Sequence, residues 1–128
     1  MPKVANGVLQ TATVISKTIQ TDIGSAIACA GYTRITLFFS YVKGDETGLD
    51  VEVHFLRTSG GTEHQELIWT ASAGVKTAAA VKHRVTASGD YHVTIDIEGV
   101  ELVKFTQGGS NNDGTPTGTL AASYTLKG

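Results

Sequence analysis

Side chains able to do chemistry are sparse in this chain, and their spacing joins none of them into a reactive group. Four histidines, His54, His64, His83 and His92, are scattered over 128 residues. Zinc sites draw His and Cys ligands from short fixed spacings, and no pair here has one. His54 and His92 each have carboxylates close by in sequence, Glu52 and Asp96, and the wet face of a strand accounts for both. Cys29 is the only cysteine, so no disulfide can form within the chain. It sits in the apolar run Ala26-Ile27-Ala28-Cys29-Ala30 with no histidine near it. That is the setting of a small buried hydrophobe, not of a nucleophile.

Oxygen ligands occur in two places: Asn111, Asn112 and Asp113 in one stretch, and Asp45 with Glu46 in another. Calcium requires roughly six to eight oxygens converging on one point, and two weak acidic clusters do not supply them. The chain contains no Gly-x-Ser-x-Gly elbow and no Gly-x-x-x-x-Gly-Lys-[Ser/Thr] loop. Gly108-Gly109 precedes no helical pattern, so it cannot serve as a phosphate cradle. A glycosidase pair of carboxylates can come from separate strands, but a chain this short leaves little material for a deep cleft. The expectation is therefore no enzyme: no catalytic residue, no cofactor-binding residue and no metal ligand. Sugar binding would need exposed aromatics, and the candidates are Trp69, Tyr32, Tyr41, Tyr91 and Tyr124. Tyr41 and Tyr91 fall on apolar sides of their segments; Trp69 and Tyr32 stay open.

Charge narrows the partners. The net charge is −2, and the nearest thing to a basic cluster is Lys76, Lys82, His83 and Arg84. Proteins that bind nucleic acid concentrate Lys and Arg on one face to displace counterions, so no nucleic-acid partner is expected. Charged residues are 17% of the chain, below the ~25% usual for soluble domains. A surface of few charges and many short polar groups suits protein contacts in a crowded assembly. No apolar stretch is long enough to span a bilayer, and Met1-Pro2-Lys3-Val4-Ala5-Asn6-Gly7 has no apolar signal region. Synthesis in a cytoplasm as a soluble protein, with no membrane partner, is the expectation.

The elements that would position these residues are strands. Leu49-Asp-Val-Glu-Val-His-Phe55 alternates strictly, with Asp50, Glu52 and His54 opposite the apolar set. Tyr91, Val93, Ile95 and Ile97 alternate in the same way with His92, Thr94, Asp96 and Glu98. A two-residue period of this length means a strand with one buried and one wet face. Thr33 to Val42 places Ile35, Leu37, Phe39 and Tyr41 on one side and Phe38 on the other, the pattern of a central strand. The glycine-bearing turn Lys43 to Gly48 then reads as a hairpin connection to the next strand. Further strands are expected at Val8–Ile15, Lys17–Ile23, Glu63–Thr70, Lys76–Thr86, Val100–Thr106 and Thr119–Leu126. The Ala-rich piece Val75 to Val81 admits a helical turn, although Gly74 and Val85-Thr86 oppose a long helix. Gln107 to Gly118 reads as a twelve-residue polar loop whose only apolar side chain is Pro116. The pattern predicts an all-β fold: an antiparallel β-sandwich, jelly-roll-like, of about eight strands. Residues 1–128 form a single domain in this reading, with 1–7 as an N-terminal arm.

Tyr41-Val-Lys-Gly-Asp-Glu-Thr-Gly-Leu49 and Gly114-Thr-Pro-Thr-Gly-Thr-Leu-Ala121 carry a likeness. With them, from about Ile19 onward, the chain resembles the small all-β virion proteins encoded among tailed-phage structural genes. These include the jelly-roll decoration, or cement, proteins of capsids. The resemblance implies a structural protein of the virion, binding the major capsid protein on the outside of the shell. It also implies a symmetric homo-oligomer, taken here as a trimer. Edge strands and the Thr-rich segment Val4 to Thr21 are the expected interface, through strand addition. A neck or tail component and a carbohydrate-binding β-sandwich are the alternatives.

Overall fold

The computed structural model describes residues 3–17, 21–110 and 115–128. The strands are β1 (Val4–Val14), β2 (Thr21–Asp22), β3 (Ile27–Ala28), β4 (Arg34–Val42), β5 (Leu49–Leu56) and β6 (His64–Gln65). They continue with β7 (Leu67–Ser72), β8 (Val75–Ala80), β9 (His83–Val85), β10 (Gly89–Asp96), β11 (Leu102–Gly109) and β12 (Thr119–Lys127). All pairings are antiparallel. The first sheet has the order β1-β12-β4-β10. The second runs β2-β11-β5-β6, with β3 also on β11 and β9 also on β5. Because β2 and β3 share one neighbour, as do β6 and β9, each layer has four strand positions. This is the eight-position jelly roll that the alternation pointed to.

Period-two patterning explains the layers. Ile35, Leu37, Phe39 and Tyr41 of β4 meet Leu49, Val51 and Val53 of β5 in one core, together with Val103 and Phe105 of β11 and Leu120 of β12. β4 lies between β12 and β10, as its apolar character indicated. Phe38, out of phase with its neighbours, points to the opposite side and is exposed.

Four local readings of the sequence are corrected. Lys43–Gly48 is not a hairpin turn: β4 belongs to the first sheet and β5 to the second, so these residues arch from one layer to the other. A turn of this length can serve either connection, and only the pairing decides. Val75–Ala80 is strand β8 and not a helical turn, because Ala73 (φ 51°) and Gly74 (φ 78°) fold the chain back onto β7. Two successive left-handed residues make the tight turn that matches hairpin twist. The polar loop is also shorter than expected. Gln107 to Gly109 continue β11, and Gln107 is buried, its Oε1 accepting the Ser16 N–H at 3.0 Å. From Val4 onward the expected N-terminal arm is paired, Val4 to Gly7 lying opposite Lys127 to Tyr124.

Gly24, between β2 and β3, has φ +65°, and a Cβ there would sit 2.5 Å from the Leu9 carbonyl oxygen. Both the left-handed conformation and the clash penalise a side chain. Gly24→Ala is expected to cost about 1–3 kcal/mol. A denaturation midpoint equal to that of the parent protein would contradict this assignment.

Candidate interaction surfaces

The outer face of the second sheet satisfies itself. Asp50 and Glu52 do point away from the core, but they are only 3% and 6% exposed, not wet. Neighbouring side chains lie over them. Arg84 donates from Nε to Asp50 Oδ1 at 2.7 Å and from Nη2 to Oδ2 at 3.0 Å, and Gln65 Nε2 donates to Glu52 at 2.8 Å. Lys104 Nζ bridges Glu63 (2.8 Å) and Asp22 (3.2 Å), while His54 Nδ1 stands 3.5 Å from Glu63. The Lys104 ammonium holds Glu63 below the usual carboxylate range, and Glu63 in turn raises Lys104. His83 and Glu66 pair at 2.8 Å. A face whose polar groups are already matched has little to offer a ligand. His54 and His92 lie on different sheets and do not meet.

The second acidic position is also occupied. Glu46, 2% exposed, accepts hydrogen bonds from the Tyr41 hydroxyl and from the backbone N–H groups of Gly44 (2.9 Å), Thr117 (3.1 Å) and Gly118 (2.9 Å). Burial pushes this acid upward. The Tyr41 hydroxyl and the Gly44 and Gly118 amides outweigh burial and hold it down at about 2. Its oxygens are taken up by donors, so it is a structural anchor and offers a cation little. Asn111, Asn112 and Asp113 lie outside the described residues. Among the described residues no group of three or more His, Cys, Asp or Glu side chains converges on a metal position.

Cys29 is fully buried with Sγ 3.4 Å from the Val100 carbonyl oxygen. Burial, aided by Glu101, pushes its thiol up to about 11. Native protein is therefore expected to resist a thiol-labelling reagent near neutral pH, and to react at the rate of its unfolding. Prompt labelling without unfolding would refute the burial.

The first sheet presents a different outer face. Across it, cross-strand rows read Val8, Ser123, Phe38, His92 and then Ala121, Ser40, Asp90. Val8 is 75% and Phe38 45% exposed, and the Phe38 and His92 rings tilt together with centroids 6.2 Å apart. These rows line a shallow groove of about 500 Å³. The edge strand β1 has register shifts between Val8 and Gln10 and between Gln10 and Thr13. Such bulges interrupt the row of backbone groups an added strand would need, which weakens β1 as a strand-addition edge. Residues 18–20 of the Thr-rich segment are outside the described residues.

The largest surprise is the β7–β8 ribbon. It leaves the edge of the second sheet between β6 and β9, which together fill one strand position beside β5. The bonds from Glu66 N–H to the Val53 carbonyl (3.1 Å) and from Val81 N–H to the Glu66 carbonyl (2.9 Å) fasten its base. Every residue of both strands is exposed, yet most are apolar: Trp69 is 59%, Ile68 57%, Leu67 46% and Val75 63% exposed. The register puts Leu67, Trp69 and Ala71 on one face with Ala80, Ala78 and Lys76. The legible signal was Ala73-Gly74 between two apolar runs, a two-residue hairpin loop. The tyrosines do not share this exposure. Tyr41 is in the core, Tyr91 stacks on Phe39 with centroids 5.5 Å apart, and Tyr32 and Tyr124 pack against the core.

Fold and surfaces together define an eight-position jelly-roll sandwich with apolar features directed outward. No family model and no curated protein matches the sequence. Solved structures do. The chain is similar to one described as the structure of infectious bursal disease virus Gx strain, with a TM-score of 0.52 and 11% identity. It is also similar to the infectious bursal disease virus VP2 subviral particle, with a TM-score of 0.55 and 10% identity. The likeness covers 99% and 98% of this chain but only 33% and 32% of those chains, so it spans about a third of their length. At such identity the likeness is one of fold.

Proposed function

We propose that this protein is a virion structural protein of a tailed phage, a decoration (cement) protein that binds the major capsid protein and stabilises the shell from outside. It is made in the host cytoplasm, works as a homo-oligomer, taken as a trimer, and engages neither nucleic acid nor membrane. The observation that carries this reading is the jelly roll shared, over nearly the whole chain, with proteins of viral particles. The surface supports it: one face is closed by internal ion pairs, and exposed apolar groups lie on a projecting ribbon and along the shallow groove of the first sheet. Many weak contacts repeated around a shell add to strong retention.

The test is co-sedimentation of the purified protein with undecorated shells of the phage that encodes it. Saturable retention at a fixed ratio to capsid protein, with raised heat resistance of the shell, is the expected result. Absence of retention at micromolar protein overturns the reading. Exposure of Trp69 favours a second one, sugar stacking. Its same-face neighbours Leu67, Ala71, Ala78 and Ala80 are apolar and only Lys76 brings a side-chain hydrogen-bonding group, too few to orient a sugar. A glycan-array signal lost in Trp69→Ala would support that alternative.

A further inference from the structure

We infer that the β7–β8 ribbon of one copy of this chain seats in the groove on the first sheet of another copy, with Trp69 over Phe38 and Lys76 beside Asp90. A two-stranded ribbon alone is marginal in water and needs a covering surface. Among the described residues nothing covers either face of this one, although its fourteen positions from Leu67 to Ala80 include only one charged residue, Lys76. Large apolar side chains with almost no charge mark surfaces that stay covered, as in permanent assemblies.

The groove is the complementary half. It is concave, about 500 Å³, floored by Phe38 and Ala121 and edged by Val8 and Asp90. An indole buries roughly 150–250 Å² when enclosed, and Ala71 and Ala78, the small same-face neighbours of Trp69, leave one side of its ring open for contact. Charge and spacing agree as well. Trp69 pairs with Ala78, two residues from Lys76 along β8. Phe38 pairs with His92, two residues from Asp90 along β10. Each pair is thus one cross-strand step and two residues apart, so an indole on Phe38 brings the Lys76 ammonium to the Asp90 carboxylate. Among the described residues Asp90 Oδ1 accepts only the Ser40 hydroxyl, at 2.7 Å, which leaves it capacity for a cation.

Ribbon and groove are unlike surfaces, so the contact is head-to-tail; such contacts close as rings where the rotation closes and run on as filaments where it does not, and the ring is the form inferred here. The inference stands on the chain's own surfaces and not on shell binding.

Trp69 is the only tryptophan, so its emission reports the contact directly. Sedimentation equilibrium at micromolar concentration is expected to give a closed oligomer whose indole emission shifts to the red on dilution. Trp69→Ser on the ribbon and Ala121→Arg in the groove are each expected to weaken association by about 30-fold or more, the scale of an interface hot spot, with unchanged circular dichroism. Mixing the two variants should restore one contact per pair, because each supplies the half the other lacks, and so yield dimers. Lys76→Glu and Asp90→Lys should each weaken assembly several-fold, and combining them should recover it. A monomeric parent protein, an oligomer indifferent to both Trp69→Ser and Ala121→Arg, or a mixture that stays monomeric would overturn the contact. Shell retention reads out separately: an oligomer that ignores shells sinks the decoration role and leaves this contact standing.

Discussion

Glu46→Ala is expected to lower the unfolding free energy by about 3–5 kcal/mol, because it strands donors that have no other partner in the interior. The melting temperature should fall by roughly 10–20 °C for a chain of this size. The cause is geometric. Glu46 sits in the arch between β4 and β5 and accepts from the Tyr41 hydroxyl below it, Gly44 beside it, and Thr117 and Gly118 across from it. Asp45 N–H adds a bond to Thr117 Oγ1 at 2.8 Å. One carboxylate therefore ties the arch to the entrance of β12. Gly118 must lack a side chain, since a Cβ there would collide with the Glu46 carboxylate and approach the Val42 carbonyl at 2.8 Å.

The same residue sets an acid limb of stability. Its carboxyl lies at about 2 in the folded protein against an ordinary value of 4.5. A group whose folded value is depressed contributes in full above its unfolded value and loses that contribution as pH falls towards the folded one. The window is thus pH 4.5 down to about 2, and the contribution at stake is about 3 kcal/mol. Glu46→Gln removes this titration. The stability gap between parent and Glu46→Gln, followed by urea denaturation, should narrow through that window. A gap that stays constant from pH 6 to pH 2 would rule out Glu46 as the titrating group. Burial, and then its bond to Glu46, raises Tyr41 above the ordinary phenol range, so its ionisation should wait for alkaline unfolding.

Much of this architecture was legible because alternation is a local signal. Leu49 to Phe55 and Tyr91 to Ile97 announced strand, face and core membership together, and the core holds what they announced. Pairing across layers is not local. Lys43–Gly48 looks the same whether it closes a hairpin or spans two sheets, and only Glu46, an acid with no charged neighbour to match it inside, separates the two. Polarity was read as exposure at Asp50 and Glu52, yet Arg84 and Gln65 come from chain segments distant in sequence to cover them. Trp69, which the sequence leaves open, and Leu67 alternate as the apolar set of a buried strand does, yet the ribbon stands in solvent. That conflict between pattern and burial is what points to a missing partner. The two motifs that carried the phage resemblance, in the arch and before β12, turn out to be the two sides of the Glu46 clasp.

Phe105→Ala tests the core against the ribbon, and the two should behave oppositely. Phe105 is fully buried in β11, the strand that joins β5 to β2 and β3, and it stands opposite Val53. Its backbone is held too, the Ile23 N–H donating to its carbonyl at 2.7 Å, and the surroundings relax only in part into the space a truncated side chain leaves. Loss of transfer energy plus that cavity puts the cost at about 3–5 kcal/mol, whereas Phe105→Leu, which refills most of the volume, should cost less than about 1.5 kcal/mol. Trp69→Ala removes a still larger aromatic but an exposed one, so below the concentration of assembly it should shift stability by no more than about 0.5 kcal/mol. Dilution matters, because a subunit contact made only by folded protein adds apparent stability that rises with concentration. Urea midpoints of the three variants, measured dilute and then concentrated, separate the cases: the Phe105 variants should keep their deficit at both concentrations, and Trp69→Ala should fall behind only when concentrated. A dilute Trp69→Ala as unstable as Phe105→Ala would mean that the indole packs on its own body, and the ribbon would then be part of the fold instead of its means of contact.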